Sequence, residues 1–243
     1  MTKFMSNCKT HNRDKFDIAL GVLHELAGKI YANSSEYVGT KEFKAHNIAR
    51  LVPPSKTIEF LTGGEDQEYG VAMGRTANPD LRLDISQHDW YMFDENYGTD
   101  QEKYFVQFIQ HGMDDLRKHY SDIYLLRNER IFKIFRFSDG RAIEPDFVLF
   151  LTDKKSKKSL SYQLFIEPKG QHLIKNDQWK EDFLKEIEGQ YRIDTLFESD
   201  QYKLVGMPFY NEDVKKDDFK SAFYKIAKFE PTIKKTSSTV SAK

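Results

Sequence analysis

The run Phe147-Val148-Leu149-Phe150-Leu151 is the longest apolar stretch in the chain, and its five residues constrain the fold more than any other feature. A helix that crosses a bilayer needs about twenty apolar residues, so no membrane-spanning helix is expected. The run is continuous rather than alternating, as is Leu164-Phe165-Ile166. Strands of that kind are apolar on both faces and must be covered on both. Two of them call for a sheet layered between helices.

Hydrophobic residues at 39% and aromatics at 14% supply the material for such a core. Charge is balanced, with 37 Lys+Arg against 38 Asp+Glu and a net of −1. A protein that holds nucleic acid by net charge alone would be basic, so phosphate binding would have to be local. The single cysteine, Cys8, excludes an internal disulfide and a cysteine-rich zinc site. The polar N-terminus, Met1 to Lys15, has no apolar core of the secretory kind and points to the cytoplasm.

From Asp14, the residues Ile18, Val22, Leu23, Leu26, Ala27 and Ile30 recur at helical spacing, and Asn33-Ser34-Ser35 closes the helix. A shorter helix is expected over Lys41 to Ala49. Short β-type runs follow at Thr57 to Leu61, Tyr69 to Met73, Leu81 to Ile85 and Trp90 to Phe93. Beyond them, Tyr104, Phe105, Phe108, Ile109, Met113 and Leu116 define a helix over Thr99 to Tyr120. Strands are expected at Ile131 to Phe137, Phe147 to Thr152 and Tyr162 to Ile166, then a helix over Gln178 to Gln190, a strand over Lys203 to Phe209 and a helix over Asp213 to Lys228. The order is α-β-β-β-α-β, an α/β fold with a mixed sheet flanked by helices.

Three acids and a lysine fall where this layout can join them. Asp146 opens the second strand, Glu167 and Lys169 close the third, and Glu102 lies in the first turn of the first helix. Residues two apart on a strand share a face, and a hairpin of the second and third strands sets Asp146 beside Glu167. Magnesium takes oxygen ligands, often one or two carboxylates with water and phosphate completing the shell. Asp146 and Glu167 suit that role. Lys169 would orient or help deprotonate an attacking water, or stabilise developing charge. Glu102 has two readings, since Thr99-Asp100-Gln101-Glu102 is also a capping box. Lys154, Lys155, Lys157 and Lys158 form a loop tip read as lying near the site and gripping the DNA backbone, and His172 is a further candidate for approaching the phosphate. Lys185 and Gln190 on the second helix are left open. No P-loop and no H-E-x-x-H occurs.

The strings Asn96-Tyr97-Gly98-Thr99-Asp100-Gln101-Glu102-Lys103, Ile143-Glu144-Pro145-Asp146-Phe147-Val148-Leu149-Phe150, Leu164-Phe165-Ile166-Glu167-Pro168-Lys169-Gly170 and Trp179-Lys180-Glu181-Asp182-Phe183-Leu184 resemble the C-terminal endonuclease domain of the restriction (Res) subunit of type III restriction-modification enzymes. That domain belongs to the PD-(D/E)xK nuclease superfamily. The resemblance covers about residues 96–210. It implies a restriction-endonuclease-like αβββαβ core, Mg²⁺ held by Asp146 and Glu167 with support from Glu102, and Lys169 as the catalytic lysine. It further implies double-stranded DNA as substrate, and a methyltransferase (Mod) subunit and a helicase portion as partners.

The expected organisation is a connecting α-then-β region at 1–95, the endonuclease domain at 96–228 and a disordered tail at 229–243. The Walker A loop and D-E-x-H box of a motor do not occur in the sequence, so the chain is expected to be a C-terminal piece, a split-gene product or a truncated relative. Two alternatives stand beside the nuclease reading: a catalytically silent fragment that binds DNA or partners, and a stand-alone nuclease with another nucleic-acid substrate.

Overall fold

The structure is a computed structural model that describes residues 15–27, 29, 41–44, 69–155, 160–187, 192–194 and 201–227. The expected runs at Asn33-Ser34-Ser35 and Thr57 to Leu61, together with Lys157, Lys158, Gln190 and the tail 229–243, lie outside the described residues. The chain divides into two units, Met1–Thr40 with Phe137–Arg141, and Lys41–Arg136 with Ala142–Lys243. In the first, residues 15–27 form helix α1. In the second, among the described residues, the elements are β1 (Glu42–Lys44), α2 (Asp100–His119), β2 (Tyr120–Arg127), β3 (Ile134–Phe135), β4 (Ala142–Ile143), β5 (Phe147–Asp153), β6 (Leu160–Ile166), α3 (Gln178–Glu186), β7 (Arg192–Asp194), β8 (Gln201–Gly206) and α4 (Lys216–Ala227).

The main sheet has the order β2-β5-β6-β8. The first two pairings are antiparallel and β6–β8 is parallel. Parallel neighbours need a crossover, and α3 lies in the segment that makes it. With the helix that precedes β2, the sheet carries the α-β-β-β-α-β order read from the sequence, so the fold is mixed α/β.

Phe147, Leu149 and Leu151 of β5, with Tyr162, Leu164 and Ile166 of β6, point into a core shared with Phe105, Ile109 and Met113 of α2 and Phe219 and Phe223 of α4. Phe105 is its hub, with ring centroids 5.1 Å from Phe147, 5.5 Å from Tyr210 and 5.8 Å from Phe219. Tilted aromatic pairs of this kind contribute about 0.5–1.5 kcal/mol each beyond burial. Met73, Ile85, Trp90 and Tyr91 enter the same core, so residues on either side of position 95 are packed together. On the opposite face, Val148, Phe165 and Leu204 are also buried, which explains why the runs are continuous rather than alternating.

Several expected elements differ. The first strand of the sheet is Tyr120–Arg127, not 131–137. The helix turns into the strand at Tyr120 (φ −117, ψ 138) without an intervening loop, so no Gly or Pro punctuates the change. Within 131–137 only Ile134–Phe135 is strand, and it pairs with Ala142–Ile143 outside the main sheet. Asn128 causes the diversion, its Oδ1 accepting the N–H groups of Ile131 and Phe132 at 2.9 and 3.2 Å. Glu42–Lys44 is a strand parallel to Arg192–Asp194, where a helix was expected. The runs at 69–73, 81–85 and 90–93 form single 3₁₀ turns, Met73–Arg75 and Ile85–Gln87, and an isolated bridge from Tyr91 to Leu125. Their apolar residues are core anchors rather than ladder positions.

Candidate active site

The site lies at the end of the sheet where β2 stops, β5 begins and β6 stops. Register fixes this, because Arg127 pairs with Phe147 and Phe147 pairs with Ile166. The flanking residues Asp146 and Glu167 are therefore neighbours. The backbone N–H of Asn128 donates to the Asp146 carbonyl at 2.7 Å, and the N–H of Asp146 donates to Glu167 Oε2 at 3.2 Å. Beyond Pro168, the N–H of Lys169 donates to the Tyr210 carbonyl at 2.8 Å, which carries Lys169 onward from the strand end.

Glu167 is the deepest group of the cluster, 2% exposed. Its Oε1 meets Lys169 Nζ at 2.9 Å and Lys180 Nζ at 3.3 Å. Both ammonium groups also reach Asp177 Oδ2, at 2.9 and 3.2 Å. Burial disfavours the charge on Lys169, but Glu167 and Asp177 outweigh it and hold the lysine above its ordinary range. Burial likewise acts against ionised Asp177, and the two lysines reverse that and bring it below the usual carboxylate range. Asp146 has the opposite balance. Burial, then the charges of Glu167 and Glu102, push its carboxyl well above the usual range, and Lys169 and Arg127 only partly compensate.

Glu102 is buried in the first turn of α2. The Thr99 hydroxyl accepts the Glu102 N–H at 3.4 Å, which is half of the expected capping box. The Glu102 carboxylate lies close enough to Asp146 for its charge to raise the proton affinity of that acid. Its Oε2 accepts from Arg127 Nε at 3.0 Å and Nη2 at 2.7 Å. Arg127 also pairs with Glu129. Burial pushes Glu102 up despite Arg127. A Cβ at Gly98 would overlap the Glu102 carboxylate and lie 2.9 Å from its Cβ, so glycine is what allows the acid to sit there.

Asp146, Glu167, Lys169 and Glu102 thus share one electrostatic cluster. Lys154 and Lys155 do not join it. They follow the far end of β5, whose seven residues extend over about 3.3 Å each, so these two lysines lie roughly 20 Å from the site rather than beside it. His172 is exposed in the 3₁₀ turn Gln171–Leu173. Lys185 pairs with Glu181 at 3.3 Å and not with the acids. Sequence reasoning missed Arg127, Asp177 and Lys180. Arg127 was hidden by the misplaced first strand, whereas Asp177 and Lys180 carry a legible signal, an acid and a base three apart at a helix start.

Among the described residues no three carboxylate, imidazole or thiol groups gather as a ready ligand set. The pair Asp146 and Glu167 nevertheless fits a hard cation. An acid whose proton affinity is raised by its neighbours, as that of Asp146 is by Glu167 and Glu102, is relieved by a divalent ion, and magnesium commonly takes only one or two protein carboxylates.

Comparison with known proteins places the chain among relatives. An uncharacterized protein of Haemophilus influenzae is 35% identical over 211 residues, covering 83% of this chain and 42% of that protein. The chain therefore spans less than half the length of the curated relative it matches. No solved structure matches it significantly. The HI_1054_C family model, described as a C-terminal domain, matches residues 71–232, a span that contains every acid and lysine of the cluster, and the chain belongs to that family.

Proposed function

We propose that the chain is a Mg²⁺-dependent endodeoxyribonuclease domain of the type III restriction class, hydrolysing phosphodiester bonds in double-stranded DNA. The observation that carries this reading is the meeting of Asp146, Glu167 and Lys169 at one sheet end, linked by the Asp146 N–H on Glu167 at 3.2 Å and the Lys169 ammonium on Glu167 at 2.9 Å. Asp146 and Glu167 would hold the ion, with Glu102 behind them. Bound there, magnesium supplies Lewis-acid neutralisation of the scissile phosphate.

The chain's own residues do the rest. Lys169, which Glu167 and Asp177 favour as a cation in the metal-free chain, would orient the attacking water or help deprotonate it, or stabilise charge on the phosphate. Attack by the water oxygen on phosphorus would form the new P–O bond as the bond to the leaving sugar oxygen breaks, the attacking water giving up a proton and the leaving oxygen taking one from solvent. Site recognition and translocation belong in this reading to a methyltransferase subunit and a helicase portion, in cis or in trans.

Glu167 is already engaged by two ammonium groups and a backbone N–H. That saturation favours, as a second reading, a catalytically silent module that binds DNA or partners. A plasmid-nicking assay with Mg²⁺ tests the first reading. The wild-type chain is expected to nick, and Asp146→Ala and Lys169→Ala to lose at least about a hundredfold in rate. Equal cleavage by all three proteins would overturn the assignment, and binding without cleavage by any of them is the result expected of the silent module and of an enzyme that works only with its partners.

A further inference from the structure

Lys169, Glu167, Lys180 and Asp177 close a ring of alternating charge, in which each lysine touches both acids at 2.9–3.3 Å. The ring is graded in depth. Glu167 is 2% exposed and Lys169 11%, while Lys180 and Asp177 are 23% and 24% exposed. A ligand arriving from solvent therefore meets Lys180 and Asp177 before it meets Glu167.

The two acids of the ring have different surroundings. Glu167 sits against Asp146, beside which a divalent cation would sit. At Asp177 the two lysines favour the ionised carboxylate and overcome the effect of its burial. Were Glu167 to ligate a cation, its hold on the ammonium groups would weaken, and Asp177, which contacts both, would keep them together. Each ammonium has three donors, so release from Glu167 leaves donors to offer to an anion.

We propose that Lys180 is a second phosphate-binding residue of this site, and that Asp177 is the positioning residue that keeps Lys180 and Lys169 together as a clamp on a phosphodiester. The inference rests on the nuclease reading for the identity of the ligand. The mount is rigid: a Cβ at Gly206 of β8 would lie 2.6 Å from Leu184 Cα and overlap its carbonyl, so the helix bearing Lys180 lies directly on the sheet that bears Glu167. Lys185, on the same helix but paired with Glu181 and 52% exposed, has no place in the clamp.

The test is equilibrium binding of a fluorescein-labelled DNA duplex to the full chain across a salt series, once in EDTA and once with Ca²⁺, alongside the nicking assay. A lysine that neutralises one phosphate contributes about 0.9 to the slope of log K against log salt. Lys180→Gln is expected to lower the slope by about that amount, and Lys185→Gln to leave it unchanged. Asp177→Asn is expected to weaken binding with Ca²⁺ more than in EDTA, whereas Asp177→Glu restores it, an outcome that loss of folding would not produce. An unchanged slope in Lys180→Gln, with wild-type nicking intact, overturns the clamp alone. A lowered slope without any nicking by the wild type overturns cleavage by this chain alone and leaves the clamp. Failure of the wild type to bind DNA at all overturns both.

Discussion

The backbone N–H of Asp146 donates to the Glu167 carboxylate at 3.2 Å, so the acid ending one strand is tied to the chain of the acid that opens its neighbour. Glu167 is consequently a structural as well as a chemical residue. Glu167→Ala would leave that N–H unpaired and two partly buried ammonium groups with Asp177 as their one shared acid, and is expected to cost about 3 kcal/mol. Glu167→Gln keeps an acceptor oxygen and is expected to cost about 1 kcal/mol. Urea denaturation of the two variants checks the difference, and both are expected to lose cleavage.

Asp146 sets a pH dependence. Its carboxyl binds a proton more tightly in the folded chain than in the unfolded one, chiefly through burial and then through Glu167 and Glu102. Below the ordinary aspartate range both states are protonated and the group has no effect. As pH rises past that range the unfolded chain releases the proton first, and folding loses stability until the native carboxyl has also ionised. Asp146→Asn removes this loss. It is expected to raise Tm by a few degrees at about pH 7 and by nothing at about pH 3. A calorimetric series across that interval checks both the sign and the window.

Divalent cations are expected to act on the same pair. Mg²⁺ or Ca²⁺ at a hundred times its Kd would stabilise the wild-type chain by about 2.7 kcal/mol, read as a rise in Tm that chelation reverses. Asp146→Asn is expected to abolish the rise, whereas Lys154→Gln, beyond the far end of β5, retains it.

Gly98 is expected to be intolerant of a side chain. Gly98→Ala would drive a methyl group into the Glu102 carboxylate and displace it from Arg127. The expected cost is about 1–3 kcal/mol for the clash, with cleavage reduced in parallel. Glu102→Gln, which keeps the shape but weakens the ion pair, separates the two effects when both are followed by thermal denaturation and nicking.

The order of the core was legible in the sequence because β5 and β6 are short apolar runs bounded by acids, and that same bounding brought Asp146, Glu167 and Lys169 to light. β2 was less legible. Tyr120-Ser121-Asp122-Ile123-Tyr124 begins where a helix ends, and nothing in local propensity marks a helix passing straight into a strand. The misplacement concealed Arg127, whose part depends on its pairing opposite Phe147. Lys154 and Lys155 were expected near the site, but a hairpin has two ends, and they follow the end of β5 opposite to the acids. Lys180 and Asp177 depend on the docking of α3 against β8, a long-range packing that composition does not encode.

The distances along the chain over which these contacts close have a consequence for how the protein forms. Lys180 reaches Glu167 across 13 residues, Asp146 reaches Glu167 across 21 and Arg127 reaches Glu102 across 25, whereas the Glu212 N–H reaches Gln101 Oε1 across 111. Closing a loop of 111 residues rather than 21 costs about 1.5 kcal/mol more in chain entropy. The charged centre is therefore closed by contacts within the stretch from Glu102 to Lys180, over the shorter loops, and the larger entropic cost falls on the contact that brings the segment before α4 back to the start of α2.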